Sequence, residues 1–188
     1  MSRQKILDAA INVFSRAGYH KASMDEIAQE ANVAKGTLYY NFSGKAELFK
    51  TLVTEGLDMI MQRIKRELDE DSPVELQIRN IIKCNVDVYL EYSELARVFF
   101  NEISSGIDDK VLFDINGLRK GYITFIADIL KEGAGDGIVR EMDFELAASA
   151  FIGLVDSTCK YYIQKNELSS SESICDFLMH IVKASFLL

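Results

Sequence analysis

Residues 23–45 read Ser23-Met24-Asp25-Glu26-Ile27-Ala28-Gln29-Glu30-Ala31-Asn32-Val33-Ala34-Lys35-Gly36-Thr37-Leu38-Tyr39-Tyr40-Asn41-Phe42-Ser43-Gly44-Lys45. Ser23 stands three residues before Glu26, the spacing of a capping box. In that device the hydroxyl takes one orphan amide of the helix start and the carboxylate reaches back to another. Ile27, Ala28 and Ala31 follow at helical spacing and predict a buried face. Asn32-Val33 predicts a tight turn, and a second short helix is expected over about 34–41. Leu38 and Phe42, one turn apart, are its expected anchors. Tyr39 and Tyr40 lie about 100° apart on such a helix, so at most one of them easily shares the anchored face.

Upstream, Ile6, Leu7, Ala10, Ile11, Val13 and Phe14 place a helix over 3–17, with Gly18 at the stop position. Downstream, Ser43-Gly44-Lys45 opens a fourth helix that carries Leu48, Leu52, Leu57, Ile60, Ile64 and Leu68 to about 69. Ser72-Pro73-Val74-Glu75 is the next start signal, with Ser72 as cap and proline where its missing N–H costs nothing. Helices are expected over 73–92, 94–104 and 108–133. The glycines of 132–137 are expected to end the last of these. Asp143 can cap a helix to about 165, and Ser169-Ser170-Ser171-Glu172 caps a final one. One proline in 188 residues leaves room for long helices. The expected fold is all-α. It comprises an N-terminal three-helix segment, residues 1–47, and a longer helical remainder, residues 48–188.

Composition narrows the function. No apolar run approaches the ~18 residues of a membrane span, and the N-terminus has no signal-peptide core, so a cytoplasmic protein with no membrane partner is expected. Cys84, Cys159 and Cys175 are widely spaced and only two histidines exist, which argues against zinc and for buried reduced thiols. No metal, cofactor or catalytic residue is implied. The net charge is −8, yet residues 1–50 hold seven of the 21 Lys/Arg and only five of the 29 Asp/Glu. That segment is +2 and the remainder −10, a local asymmetry that phosphate binding needs and the whole-chain pI conceals.

A capped short helix, a tight turn and a second short helix make a helix-turn-helix, whose second helix enters the major groove. Lys35 and Lys45 can neutralise phosphates. Gly36 permits close backbone approach, and Thr37 can read a base edge and a thymine methyl. Tyr39, Tyr40 and Asn41 can reach phosphate oxygens. Core packing for the tyrosines and a solvated face for the lysines is the competing reading. The run Ile27-Ala28, Ala31 to Phe42 and Lys45-Ala46-Glu47-Leu48, with Ile6 to Ala10, Val13-Phe14 and Gly18-Tyr19 upstream, resembles the TetR family of repressors. The resemblance implies DNA contacts at Ser23, Lys35, Gly36, Thr37, Tyr39, Tyr40, Asn41 and Lys45. Ala34 stands where the family often has serine, and Asn32 where it usually has glycine.

The resemblance further implies an N-terminal three-helix DNA-binding domain with a helix-turn-helix over residues 1–47, a helical ligand-binding and dimerisation domain over residues 48–188, and a homodimer built from the last two helices. Phe151, Leu154, Val155, Thr158 and Tyr162 form a stripe on one, and Phe177, Leu178, Ile181, Val182 and Phe186 on the next. An intramolecular core would produce the same stripes. A pocket for a small hydrophobic effector is expected among the central helices. Its candidate lining is Asn85, Tyr89, Phe99, Phe100, Ile103, Tyr122, Phe125 and Phe151, with Ile129, Glu102 and Asp156 as further candidates. Residues 95–162 also resemble TetR-type regulators of fatty-acid metabolism, whose effectors are acyl-CoA thioesters; a drug-like or lipophilic cationic ligand is the alternative. The expected function is a ligand-responsive repressor of a palindromic double-stranded operator. The rivals are an all-α enzyme, for which no motif is found, and a helical adaptor that has kept the fold but lost DNA recognition.

Overall fold

A computed structural model describes residues 2–67, 72–102, 109–165 and 170–188. Among these, nine α-helices account for nearly all regular structure: α1 Ser2–Ala17, α2 Met24–Glu30, α3 Lys35–Asn41, α4 Lys45–Glu67, α5 Val74–Glu91, α6 Ser93–Glu102, α7 Asp109–Gly135, α8 Phe144–Lys165 and α9 Ser171–Phe186. The all-α expectation holds. The chain divides into two compact units, residues 1–56 with 92–117, and residues 57–91 with 118–188.

The first unit is built on α1, which packs against α2, α3 and α6. Its buried face is the one periodicity predicts: Ile6, Leu7, Ala10, Val13 and Phe14. Gly18 ends α1 with φ +77° and an N–H to the Phe14 carbonyl. Phe14, Tyr19 and Phe49 then close a three-ring cluster with centroids 5.1–5.9 Å apart. Tilted and edge-on aromatic pairs of this kind contribute beyond their buried area.

In the second unit α5 packs against α8 and α9, and α8 against α9. Asp143 Oδ1 accepts from Leu146 N at 3.0 Å and Ser170 caps α9 through Ser173 N, as the sequence predicts. Two local readings are corrected. Helix α5 starts one residue late, with Pro73, rather than Ser72, supplying the first helical carbonyl to Leu76 and Gln77. The second concerns the glycines of 132–137. Helix α7 runs through Gly133 to Gly135, and only Gly137 takes a positive φ, +71°. Gly133 serves packing: a Cβ there would lie 2.7 Å from Val139 Cγ2 and 2.9 Å from Val74 Cγ1. The next segment is tied down by an antiparallel bridge between Val139 and Leu187.

The stripes on α8 and α9 divide. Phe151, Val155, Leu178, Val182 and Phe186 are buried within the chain, while Leu154, Thr158, Tyr162 and Ile181 are half-buried. Phe177 remains 51% exposed, and Leu146 and Tyr161 on α8 are exposed with it. Much of the predicted dimer stripe is therefore intramolecular core, and the apolar residues left outside are partly different ones.

Candidate nucleic-acid interface

Helix α2 is fixed at its start, and the turn after it is set by Asn32. Ser23 Oγ accepts from Glu26 N at 3.2 Å, and Ser23 N donates to Glu26 Oε2 at 2.9 Å, so the capping box is complete. These bonds hold the Glu26 carboxyl below the usual carboxylate range, the Ser23 side-chain bond being the larger cause. Asn32 sits at φ +52°, the left-handed region that asparagine enters more readily than most residues. Ala34 is the N-cap of α3 and makes no side-chain cap bond, the consequence of the missing serine. Helix α3 is held instead from beneath by Leu38 and Phe42, both fully buried.

That anchoring decides what faces out. Tyr40 is 91% exposed and Tyr39 45%, so neither tyrosine belongs to the core. Gly36 is exposed, and a Cβ built on it meets no atom within 4 Å. Nothing inside the protein requires glycine there. Thr37 is half-buried, and its carbonyl accepts from Asn41 Nδ2 at 2.7 Å. The Asn41 amide thus begins committed to the backbone of its own helix. Lys35 Nζ lies 2.7 Å from Asp25 Oδ1 across the turn, and that hydrogen bond raises the pKa of its ammonium. Ser23, Asp25, Lys35, Tyr39 and Lys45 line an open concavity of about 320 Å³ between the two helices.

Lys45 is bonded within the chain. Its ammonium donates to the carbonyls of Tyr19 at 2.6 Å, His20 at 3.0 Å and Ala22 at 2.9 Å, and lies 4.6 Å from the Tyr19 ring centroid. Other cations of the first fifty residues are also engaged: Arg3 with Glu55, Arg16 with Glu30 and Lys50 with Asp114. Lys5 and Lys21 are exposed and have no partner among the described residues. Neither is among the expected DNA contacts, although both contribute to the charge excess of residues 1–50.

The interior of the second unit holds a polar cluster. Asn85, only 3% exposed, donates to the Ile81 carbonyl and accepts from Tyr122 Oη at 2.8 Å. Tyr89 Oη donates to Asp156 Oδ1 at 2.6 Å, and Arg119 Nη2 lies 2.6 Å from Asp156 Oδ2. Helices α5, α7 and α8 are joined by these bonds. Burial pushes the Tyr122 phenol well up, and burial together with the Asp156 charge does the same to Tyr89. Both are neutral donors at physiological pH. Of the candidate lining, Asn85, Tyr89 and Tyr122 join this cluster together with Asp156. Phe125 is half-buried with Lys65 over its ring at 5.8 Å, and Ile129 is buried. Phe151 is buried against Phe186, and Phe100 is buried in the first unit. Ile103 and the side chains of Phe99 and Glu102 lie outside the described residues. Arg119 was missed, though its place one turn before Tyr122 on α7 was a usable signal.

No group of His, Cys, Asp or Glu among the described residues is arranged to hold a metal ion, and no described helix is long and apolar enough to cross a membrane. The three cysteines are buried. Burial and the neighbouring Glu67 carboxylate push the Cys84 thiol up to about 12, far from the reactive thiolate.

Comparison with known proteins agrees with this geometry. A family model described as bacterial regulatory proteins, tetR family, matches residues 6–52. A second, described as tetracyclin repressor-like, C-terminal domain, matches residues 70–184. The fatty acid metabolism regulator protein of Bacillus subtilis is 26% identical over 180 residues, covering 93% of this chain and 92% of that protein. The fatty acid degradation regulator FadR of Bacillus halodurans superposes with a TM-score of 0.86 at 25% identity, covering 96% of this chain and 93% of the other. FadR of Bacillus subtilis, solved in complex with stearoyl-CoA, superposes with a TM-score of 0.87 at 24% identity, over 95% of this chain and 96% of the other.

Proposed function

The chain belongs to the tetR family of bacterial regulatory proteins, and from that premise we propose that it is a cytoplasmic, non-enzymatic repressor that binds a palindromic operator as a homodimer. In this reading residues 1–47 bind DNA and residues 48–188 sense an effector and dimerise. The observation that carries it is the face of α3. Buried Leu38 and Phe42 leave Lys35, Gly36, Thr37, Tyr39 and Tyr40 outward on α3, while the preceding helix α2 is fixed at its start by a complete capping box. A phenol as exposed as that of Tyr40 contributes little to folding and is well placed to meet phosphate or base edges. Ser23 and Asn41 flank this face; Asn41 keeps a second Nδ2 hydrogen and its Oδ1 for DNA beside the bond to Thr37, and Ser23 keeps an acceptor lone pair.

The effector is a fatty acyl thioester. Support comes from the 26% identical Bacillus subtilis relative, named for fatty acid metabolism, and from the polar cluster in the second unit. A thioester carbonyl is an acceptor, and Tyr89 and Tyr122 are neutral donors within that cluster. Capturing either donor displaces Asp156 or Asn85 from it and shifts the population between two arrangements of α5, α7 and α8. Such a ligand acts only through its differential affinity for the two. Apolar Leu146, Tyr161 and Phe177, exposed on α8 and α9, supply the dimer face.

The test is a fluorescence-anisotropy titration against the palindrome upstream of its own gene, with a scrambled fragment as control. Sequence-specific binding that Tyr40→Ala abolishes and a long-chain acyl-CoA reverses is the expected result. Equal, weak binding to both fragments, unchanged in Tyr40→Ala, would make the protein an adaptor of the same fold.

A further inference from the structure

The corner between α1 and α2 assigns its two lysines different work. A lysine ammonium has three N–H donors. In Lys45 all three point at backbone carbonyls of the preceding turn, those of Tyr19, His20 and Ala22. Lys45 is also the first residue of the 23-residue α4, where a cation opposes the helix dipole. The three carbonyls and the Tyr19 ring beneath offset that penalty. To reach a phosphate, Lys45 would have to release carbonyls it now satisfies. Lys21 lies inside the turn so gripped, between His20 and Ala22. It is exposed, has no partner among the described residues, and directly precedes the concavity wall formed by Ala22 and Ser23.

We propose that Lys21 is the phosphate-contacting cation of this corner and that Lys45 is a positioning residue, which holds the Tyr19–Ala22 turn so that Lys21 meets the DNA backbone. The proposal rests on the DNA-binding reading above. It moves the charge contact expected at Lys45 to a residue the family resemblance did not mark. It also gives α4 a direct grip on the turn that leads into the helix-turn-helix, since the ammonium that clamps the turn is carried by the first residue of α4.

Salt dependence separates the two roles, because each phosphate neutralised contributes about −0.9 to the slope of log K against log[salt]. The DNA is a duplex that the wild-type full-length protein selects from a random-sequence library. Slopes are measured by anisotropy over a KCl series for wild type, Lys21→Met, Lys45→Met and the double variant. Lys21→Met is expected to lose about 0.9 of slope per bound protomer, and the double variant to lose no more. In the absence of DNA, Lys45→Met is expected to speed tryptic cleavage after Lys21 several-fold, since the turn is no longer held. Lys45→Gln, which keeps an uncharged donor, replaces Lys45→Met if the latter does not fold. A wild-type slope in Lys21→Met, or a loss in the double variant near 1.8 per protomer, would overturn the proposal and leave the repressor reading intact. Unchanged cleavage in Lys45→Met would overturn the positioning role. Failure of the wild type to select any sequence would sink both.

Discussion

Gly36→Ala separates what α3 needs for folding from what it needs for binding. Gly36 is the second residue of α3, is exposed, and has no atom within 4 Å of where a Cβ would stand. Alanine therefore enters without a clash. It recovers part of the roughly 0.5–1 kcal/mol by which glycine weakens a helix, at the lower end because the site is in the first turn. For a chain of this size 1 kcal/mol corresponds to about 2–4 °C, so a rise in Tm of about 1–2 °C is expected. Binding should move the other way. If the Gly36 backbone lies against the duplex, an added methyl forces the helix outward, and a tenfold or greater loss of operator affinity is expected, equivalent to about 1.4 kcal/mol. Scanning calorimetry and an anisotropy titration on one protein preparation read the two effects. An alanine variant that is stabilised and binds as well as wild type would refute close approach at this residue. A destabilised variant would refute the open environment on which the argument rests.

Asn32→Val places a β-branched residue at φ +52° and should cost about 1–2 kcal/mol in thermal or urea unfolding, whereas Asn32→Gly should be tolerated. Tyr122→Phe leaves the buried Asn85 Oδ1 without its donor; a loss of about 1–3 kcal/mol in urea unfolding is expected, and an unchanged midpoint would mean that the oxygen finds another partner. Phe177→Glu, on the exposed apolar face of α9, should convert a dimer to monomers in light scattering while leaving the helical circular dichroism intact. Asp87 responds to acid. Burial pushes its carboxyl up, but the Ser171 hydroxyl and the Lys83 ammonium outweigh that, and its pKa in the folded protein is lowered. Its contribution to stability is thus fully present above the unfolded carboxylate pKa of about 3.9 and is lost as pH falls through the lower folded value. Urea midpoints from pH 6 downward should fall less steeply in Asp87→Asn than in wild type.

Most of the DNA-binding half was legible because its determinants are local. The capping box, the left-handed Asn32 and the Leu38–Phe42 anchor are set by near neighbours in the chain, and periodicity allows at most one of Tyr39 and Tyr40 beside that anchor, where the structure turns both outward. What the sequence could not display were the bonds between segments. Lys45 lies 23 to 26 residues from the carbonyls it holds, and Asp25 reaches Lys35 only because the turn folds α2 back beside α3. Formal charge counting treated both lysines as available. In the second unit, the sequence marks Tyr89 and Tyr122 as bulky aromatics and Asn85 and Asp156 as polar groups on apolar helices. Their pairing across α5, α7 and α8 depends on helix rotation that a one-dimensional pattern leaves open. Gly133 misled for a related reason. A helix-breaking residue was read locally, while its use is to let Val139 and Val74 approach the helix backbone.

The Lys35–Asp25 contact bears on how the protein finds its site. A cation that carries its own counter-ion exerts little pull on a distant polyanion, and the chain as a whole repels one. Sliding along arbitrary duplex depends on sequence-independent attraction to the backbone, and Lys35, neutralised by Asp25, adds little to it. The ion pair thus works against indiscriminate binding: Asp25 gives way to a phosphate only where the fit at α3 offsets its loss.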